Sequence, residues 1–267
     1  MKTDQLIMDF AFQIMKFKRK CFLCILVFMA FSVKGQSGLD DFNMAVQLGQ
    51  SGKYLEALAL FQQVKRSGVQ SPALDYNLGT TYLQLDSIGQ SILYLERALK
   101  YLPNDAQIQN NIRAARQRMQ EAVIPVTPFF LSEWMKKLNG SLSLNGWAIL
   151  SILFAWILSA LLIAQLRKVD WRFNRFQTVF MIASITLLFF SVIMCFSAFQ
   201  RINYKDSAIL MAPQTELRVG PDQMSTVLGQ IFEGEKLSIK NQIDEWVQVE
   251  LLNRDIGWIR SETITRI

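Results

Sequence analysis

The 267-residue chain is 51% hydrophobic and only 19% charged, has a formal net charge of +6 and contains no histidine. So little charge beside so much apolar character points to long apolar runs, which a soluble globular chain seldom holds. The missing histidine excludes Ser-His-Asp and Cys-His triads, His-ligated metal sites and imidazole bases. Cys21, Cys24 and Cys195 have neither zinc-site spacing nor the number a disulfide scaffold needs, so no cofactor, metal or redox role is expected.

Lys16, Lys18, Arg19 and Lys20 precede the apolar run Cys21–Val33, and Lys34-Gly35-Gln36-Ser37 follows it. This is the layout of a signal peptide over residues 1–35, with cleavage after Gly35. The run is 13 residues long, whereas a membrane-crossing helix needs about 20. Asp4 and Asp9 ahead of the basic cluster place the expected translation start at Met15. An uncleaved anchor is the alternative.

Residues 38–121 carry an internal repeat. An offset of 34 residues pairs Asn43 with Asn77, Ala45 with Gly79, Leu48 with Tyr82, Phe61 with Leu95 and Val64 with Ala98. That period, the motif Gly52-Lys53-Tyr54-Leu55-Glu56-Ala57, the segment Tyr76–Tyr82 and Pro103 resemble the tetratricopeptide family, a solenoid of antiparallel helix pairs. Ala106–Glu121, with Ile108, Ile112 and Ala115 at helical spacing opposite Arg113, Arg116 and Arg118, is expected to cap the stack. Asn43, Asn77 and Asn111 recur at 34 and 34. The resemblance implies a concave groove in which these asparagines bind an extended partner's backbone, beside Phe42, Val46, Tyr76, Thr80, Gln84 and Asn110. It also argues against a clamp for a free C-terminal carboxylate, because Phe42 and Val46 stand where its lysine set would begin. The alternative is that asparagine simply recurs with the repeat.

Residues 122–146 are expected to be a linker and an amphipathic segment. Pro125 and Pro128 end the helical pattern, and Phe129, Phe130, Leu131, Trp134 and Leu138 then alternate with polar residues as in a helix lying on a membrane surface. A short helix packed under the stack is the alternative. Trp147–Leu166 and Thr178–Phe199 then run for 20 and 22 residues without an Asp, Glu, Lys or Arg, long enough to span. The loop 167–177 holds four basic residues and one acid, which places it in the cytoplasm and both flanking domains in the periplasm. No ionisable group lies within either run, which argues against a transporter or channel. Ser151, Ala155 and Ser159 form a small-residue strip for helix packing, or reflect ordinary serine and alanine content.

Residues 206–267 read as short alternating strands at Glu216–Val219, Lys236–Ile239, Glu245–Val249 and Gly257–Ile259, divided by turn residues. A small barrel is expected. The ordered motifs Leu217-Arg218-Val219-Gly220-Pro221, Val227-Leu228-Gly229, Phe232-Glu233-Gly234-Glu235, Trp246–Val249 and Gly257-Trp258-Ile259 resemble bacterial SH3-like domains. That resemblance implies a face for peptidoglycan or peptides, with Arg218, Trp246 and Trp258 as the candidates. Trp258 is expected in the interior rather than on the ligand face, because a Gly-Trp pair late in such a barrel commonly plugs it. Six Lys/Arg against ten Asp/Glu in 206–267 argue against nucleic acid, which requires a basic face.

The fold class expected is a multidomain membrane protein: an α-helical tetratricopeptide solenoid, a two-helix transmembrane hairpin and a small all-β SH3-like barrel. This order of modules resembles the BatE-like family of bacterial aerotolerance (Bat) operons. The resemblance implies an inner-membrane protein working beside von Willebrand A-domain Bat proteins and a MoxR-type ATPase, in oxidative-stress survival or envelope integrity. The expected function is a non-catalytic scaffold binding protein partners on the periplasmic side. A peptidoglycan-binding sensor or anchor is the alternative, and solvated carboxylate pairs such as Asp40/Asp41 and Glu245/Glu250 do not make an enzyme.

Overall fold

The computed structural model describes residues 36–124, 126, 130–166, 175–204 and 206–267. The expected signal segment and residues 167–174 of the basic loop lie outside the described residues.

Five helices come first: α1 (Gln36–Gln50), α2 (Tyr54–Arg66), α3 (Pro72–Gln84), α4 (Ile88–Tyr101) and α5 (Ala106–Gln117). Local chemistry fixes where they start. Ser71 accepts a hydrogen bond from the Leu74 N–H, and Pro72 occupies the first turn of α3, where its missing N–H costs nothing. Asp105 does the same for α5, accepting from Gln107 and Ile108. Short connections then make antiparallel neighbours. Ala45, Ala57, Phe61, Val64, Leu74 and Leu78 form one core, and Leu95, Ala98, Ile108 and Ile112 form the next. The two helices α3 and α4 approach so closely at Gly79 that a Cβ there would sit 2.7 Å from Leu95 Cγ and 3.0 Å from the Leu95 nitrogen. The last helix stops at Gln117, before the expected Glu121.

α6 (Phe130–Asn139) is short, with Phe130, Leu131, Trp134 and Met135 exposed and only Asn139 buried. Beyond it, α7 (Leu144–Leu166) and α8 (Arg175–Asn203) pair along their length and extend past the expected limits at both outer ends. Both are long and apolar enough to cross a membrane. Their apolar side chains face outward: Trp156 is 75% exposed and Phe189 68%. A helix in a water-soluble core buries such groups, so this hairpin calls for an apolar surrounding. Of the small-residue strip, Ser151 meets α8 through a 3.0 Å bond from its Oγ to Ser191 Oγ, whereas Ser159 is exposed.

One residue, through its side chain and its backbone carbonyl, ties α6, α7 and α8 together. The buried Asn139 donates from Nδ2 to the Met194 carbonyl at 3.0 Å, its own carbonyl accepts from Trp147 Nε1 at 3.0 Å, and its Oδ1 accepts from Arg201. Around it, Trp147, Met194 and Ala198 are buried. These bonds engage the amide group and the backbone carbonyl of Asn139, which burial would otherwise leave unsatisfied.

The last unit has strands β1 (Ser207–Leu210), β2 (Gln214–Arg218), β3 (Val227–Phe232), β4 (Lys236–Ile243), β5 (Trp246–Glu250), β6 (Ile256–Arg260) and β7 (Ile264–Arg266). They form one antiparallel sheet in the order β3-β2-β6-β5-β4-β1-β7. Ile231 of β3 and Leu210 of β1 belong to the same core as Leu217, Leu237, Val247, Val249 and Ile259. In a flat sheet those two strands would stand about 24 Å apart, at about 4.8 Å per step. A shared core therefore requires the sheet to curl around it, as the alternating pattern predicts.

The β domain is not a separate bead on a linker. Ile209 of β1 shares a core with Leu83, Ile88, Ile92, Leu93 and Ala115 of the helices. Polar contacts ring it: Gly89 N–H donates to Glu233 Oε1 at 2.7 Å, Arg97 donates to the Arg266 carbonyl at 2.9 Å, and Lys236 pairs with Glu96 at 2.6 Å. The segment expected to be a linker is also fastened, since Val126 N–H donates to the Leu252 carbonyl and Val123 packs on the β core. At Gly234 the backbone takes φ +90° and a Cβ would lie 2.9 Å from Ile92 Cδ1, so this turn of the sheet presses directly on α4.

Candidate functional site

Strand alternation decides which side chains of the β domain face outward. Leu217, Val247, Val249 and Ile259 point to the core, so Arg218, Trp246, Gln248, Trp258 and Arg260 share the opposite face. The register sets them side by side, with Trp246 opposite Arg260, Gln248 opposite Trp258 and Trp258 opposite Arg218. Trp258 is buried at 8% exposure, in keeping with the expectation of a core residue, but strand alternation puts it on the face of β6 opposite Ile259.

An open cavity of about 390 Å³ lies on this face, lined by Thr215, Glu216, Arg218, Gln223, Trp246 and Arg260. The Arg260 guanidinium stacks over the Trp246 ring at 5.4 Å and is held by Glu245 at 3.0 Å. Arg218 donates to the carbonyls of Gln223 and Ser225 at 2.6 and 2.9 Å and pairs with Glu216. A planar cation laid on an indole, next to a second fixed guanidinium, offers both a stacking surface and donors for carboxylate, amide or hydroxyl oxygens. Arg260 and Gln223 escaped the sequence reading. The signal for Arg260 was present, because it lies two residues beyond Trp258 on the same strand face.

The helical candidates divide differently. Asn111 of α5 donates to Thr80 Oγ1 at 3.0 Å and reaches Tyr76 OH at 3.5 Å, so three of the expected groove residues form one network across α3 and α5. Asn77 turns back to the Ala73 carbonyl of its own helix at 2.8 Å. Asn43 and Gln84 are exposed, and Asn110 accepts from Arg113 at 3.1 Å. Phe42 and Val46 are half-buried: Phe42 meets Phe61 edge-on at 5.7 Å, and both pack against the first core.

At the junction of the two units, Glu235 is 3% exposed. Its Oε2 accepts from Val123 N–H at 3.2 Å, while Oε1 has no hydrogen-bond partner among the described residues. Burial pushes its carboxyl above the ordinary range, against the smaller opposing effects of the Val123 N–H and the Arg116 charge. Among the described residues no group of three or more Asp, Glu or Cys is placed to hold a metal ion.

The curled antiparallel sheet forms a small, barrel-like β domain. Residues 213–265 match the family model for the bacterial SH3 domain. That match begins after β1, so the strand that docks on the helices lies outside it. No curated protein and no solved structure gives a match to this chain.

Proposed function

We propose that this protein is a non-catalytic scaffold of the bacterial inner membrane, of the BatE-like kind. It is anchored by α7 and α8 and presents a tetratricopeptide-type helix stack and an SH3-like domain to protein partners in the periplasm. The observation that carries this reading is the joint core at Ile209, Ile88 and Ile92, which couples the two units through α4 and β1. The Asn111–Thr80–Tyr76 network and the Trp246–Arg260 face lie on other elements, so one body can offer two binding faces beside the bilayer. Their partners would include von Willebrand A-domain Bat proteins coupled to a MoxR-type ATPase, in oxidative-stress or envelope-integrity functions.

Reporters fused at Asp170 and after Ile267 test the placement: cytoplasmic activity at the first and periplasmic at the second are expected, and the reverse overturns it. In-membrane crosslinking of the full chain, compared with the Asn43/Asn77/Asn111→Ala variant, tests the groove. An unchanged set of partners would sink it.

The match to the bacterial SH3 domain, together with the Trp246–Arg260 stack, favours one second reading, an anchor or sensor that holds peptidoglycan. Sedimentation of the full-length protein with purified sacculi decides it. Intact protein that stays in the supernatant removes the wall-binding version and leaves the scaffold standing.

A further inference from the structure

Between the end of α8, the underside of α4 and the short helix α6 lies a cavity of about 690 Å³, within the range of small-molecule sites. Its inner wall is apolar, from Leu99, Met135 and Ile193, and Lys136, Lys137 and Arg201 bring positive charge to it. Two carboxylates also line it, Glu96 and Glu133. Glu96 is already engaged by Lys236 at 2.6 Å and Arg116 at 3.8 Å, so it does not neutralise the other cations. Arg201 is fixed by the Lys100 carbonyl at 3.0 Å and by Asn139, yet its Nη2 is shielded from solvent and has no acceptor among the described residues. A shielded guanidinium nitrogen without an acceptor is costly unless an anionic oxygen completes it.

We propose that this cavity binds an anionic phospholipid, its phosphate at Arg201 with Lys136 and Lys137, and its acyl chains along Ile193 of α8 and the apolar side of α6. The position supports this occupant. If α7 and α8 span the bilayer, the Asn139 junction stands at head-group depth, and the exposed Phe130, Leu131 and Trp134 lie where an interfacial helix dips into the boundary. A soluble anion would use the cations but leave the apolar wall wet, whereas a phospholipid satisfies both. The inference rests on the reading of α7 and α8 as membrane spans.

The test uses the full-length protein in nanodiscs of phosphatidylcholine with or without phosphatidylglycerol, and native mass spectrometry of the lipid kept after release into mild detergent. Phosphatidylglycerol is expected to remain on the wild-type protein in preference to phosphatidylcholine. Lys136→Gln/Lys137→Gln, two exposed changes that leave the fold alone, is expected to weaken retention by about thirtyfold, as two cations at an anionic surface imply. Arg201→Gln should abolish it, with a melting curve as the folding control. Equal retention of the two lipids, or no change in the lysine variant, overturns the proposal. Displacement of the lipid by inorganic phosphate alone would overturn it in favour of a small-anion site. Carbonate extraction separates the two readings: release from the membrane refutes the spans, whereas protein that stays embedded and holds no lipid refutes only the cavity.

Discussion

The helix groove and the β-domain face proposed as binding surfaces both carry polar side chains, but they hold them in different states. In the groove, Asn111 is bonded to Thr80 and Asn77 to its own backbone, so a ligand must displace an internal hydrogen bond before gaining a new one. On the β face, Arg218 is locked by two carbonyls and by Glu216, and Arg260 is stacked on Trp246 and paired with Glu245, so both guanidinium planes are already oriented by several contacts at once, although some of their N–H groups are engaged. A preorganised face binds with less ordering cost than one that must first break its own contacts. The β face is therefore expected to carry more of the affinity, and the groove more of the discrimination between extended partners.

The comparison breaks most severely if either unit loses its frame. Gly79→Leu drives a side chain into Leu95 and the backbone of α4, and is expected to cost roughly 3 kcal/mol or more. Loss of helical signal at a lowered melting temperature would register it, and a normal melt would refute the close approach. Gly234→Ala, which forces a Cβ onto Ile92 at a left-handed φ, is expected to cost about 2 kcal/mol and to loosen the β domain from α4. Limited proteolysis should then cut near residues 122–126 before either unit is degraded.

A smaller effect sharpens the picture of the junction. The Glu235 carboxyl is raised by burial, so the folded state holds its proton more tightly than the unfolded chain does. Its contribution to stability is complete below the ordinary carboxylate range and is lost as pH rises through the raised folded value. Glu235→Gln keeps the acceptor for Val123 and removes the charge. It is expected to raise stability at neutral pH by about 1 kcal/mol and to flatten the fall in melting temperature between mildly acidic and neutral buffer. An unchanged slope would show that another group sets the pH dependence.

Arg260→Gln tests the faces themselves. The residue is partly exposed and its ion pair to Glu245 is a surface one, so stability should move by less than about 1 kcal/mol while binding to sacculi or crosslinked partners falls severalfold. Retained binding would shift the weight back to the groove. Least of all should follow from Lys240→Ala, whose pair with Glu250 at 2.5 Å lies at the surface; a melting curve within error of wild type is expected.

Much of the architecture was readable from periodicity. The helical character of residues 38–121, the two uncharged apolar runs and the alternating strands β2, β4, β5 and β6 were all visible in the sequence, and the structure has helices α1 to α5, α7 and α8 and those strands there. These patterns are local, because each records which side of one element meets an apolar surrounding. The site was partly readable for the same reason. Two of the candidates, Arg218 and Trp246, line one cavity, whereas Arg260 became a neighbour only through the pairing of β5 with β6.

The sequence by itself determined the order of the modules, the positions of the apolar runs, and the absence of histidine from any chemistry the protein performs. Only the tertiary structure decided that Trp258 lies on the face of β6 opposite Ile259, that Asn139 knots three helices, and that Ile209 joins the β domain to α4. The physical reason is separation along the chain. Gly89 and Glu233 are 144 residues apart, and nothing in the pattern of either segment specifies the other. Such contacts exist because two separately patterned surfaces fit when packed, which makes the coupling between the helical unit and the β domain a property of the folded whole.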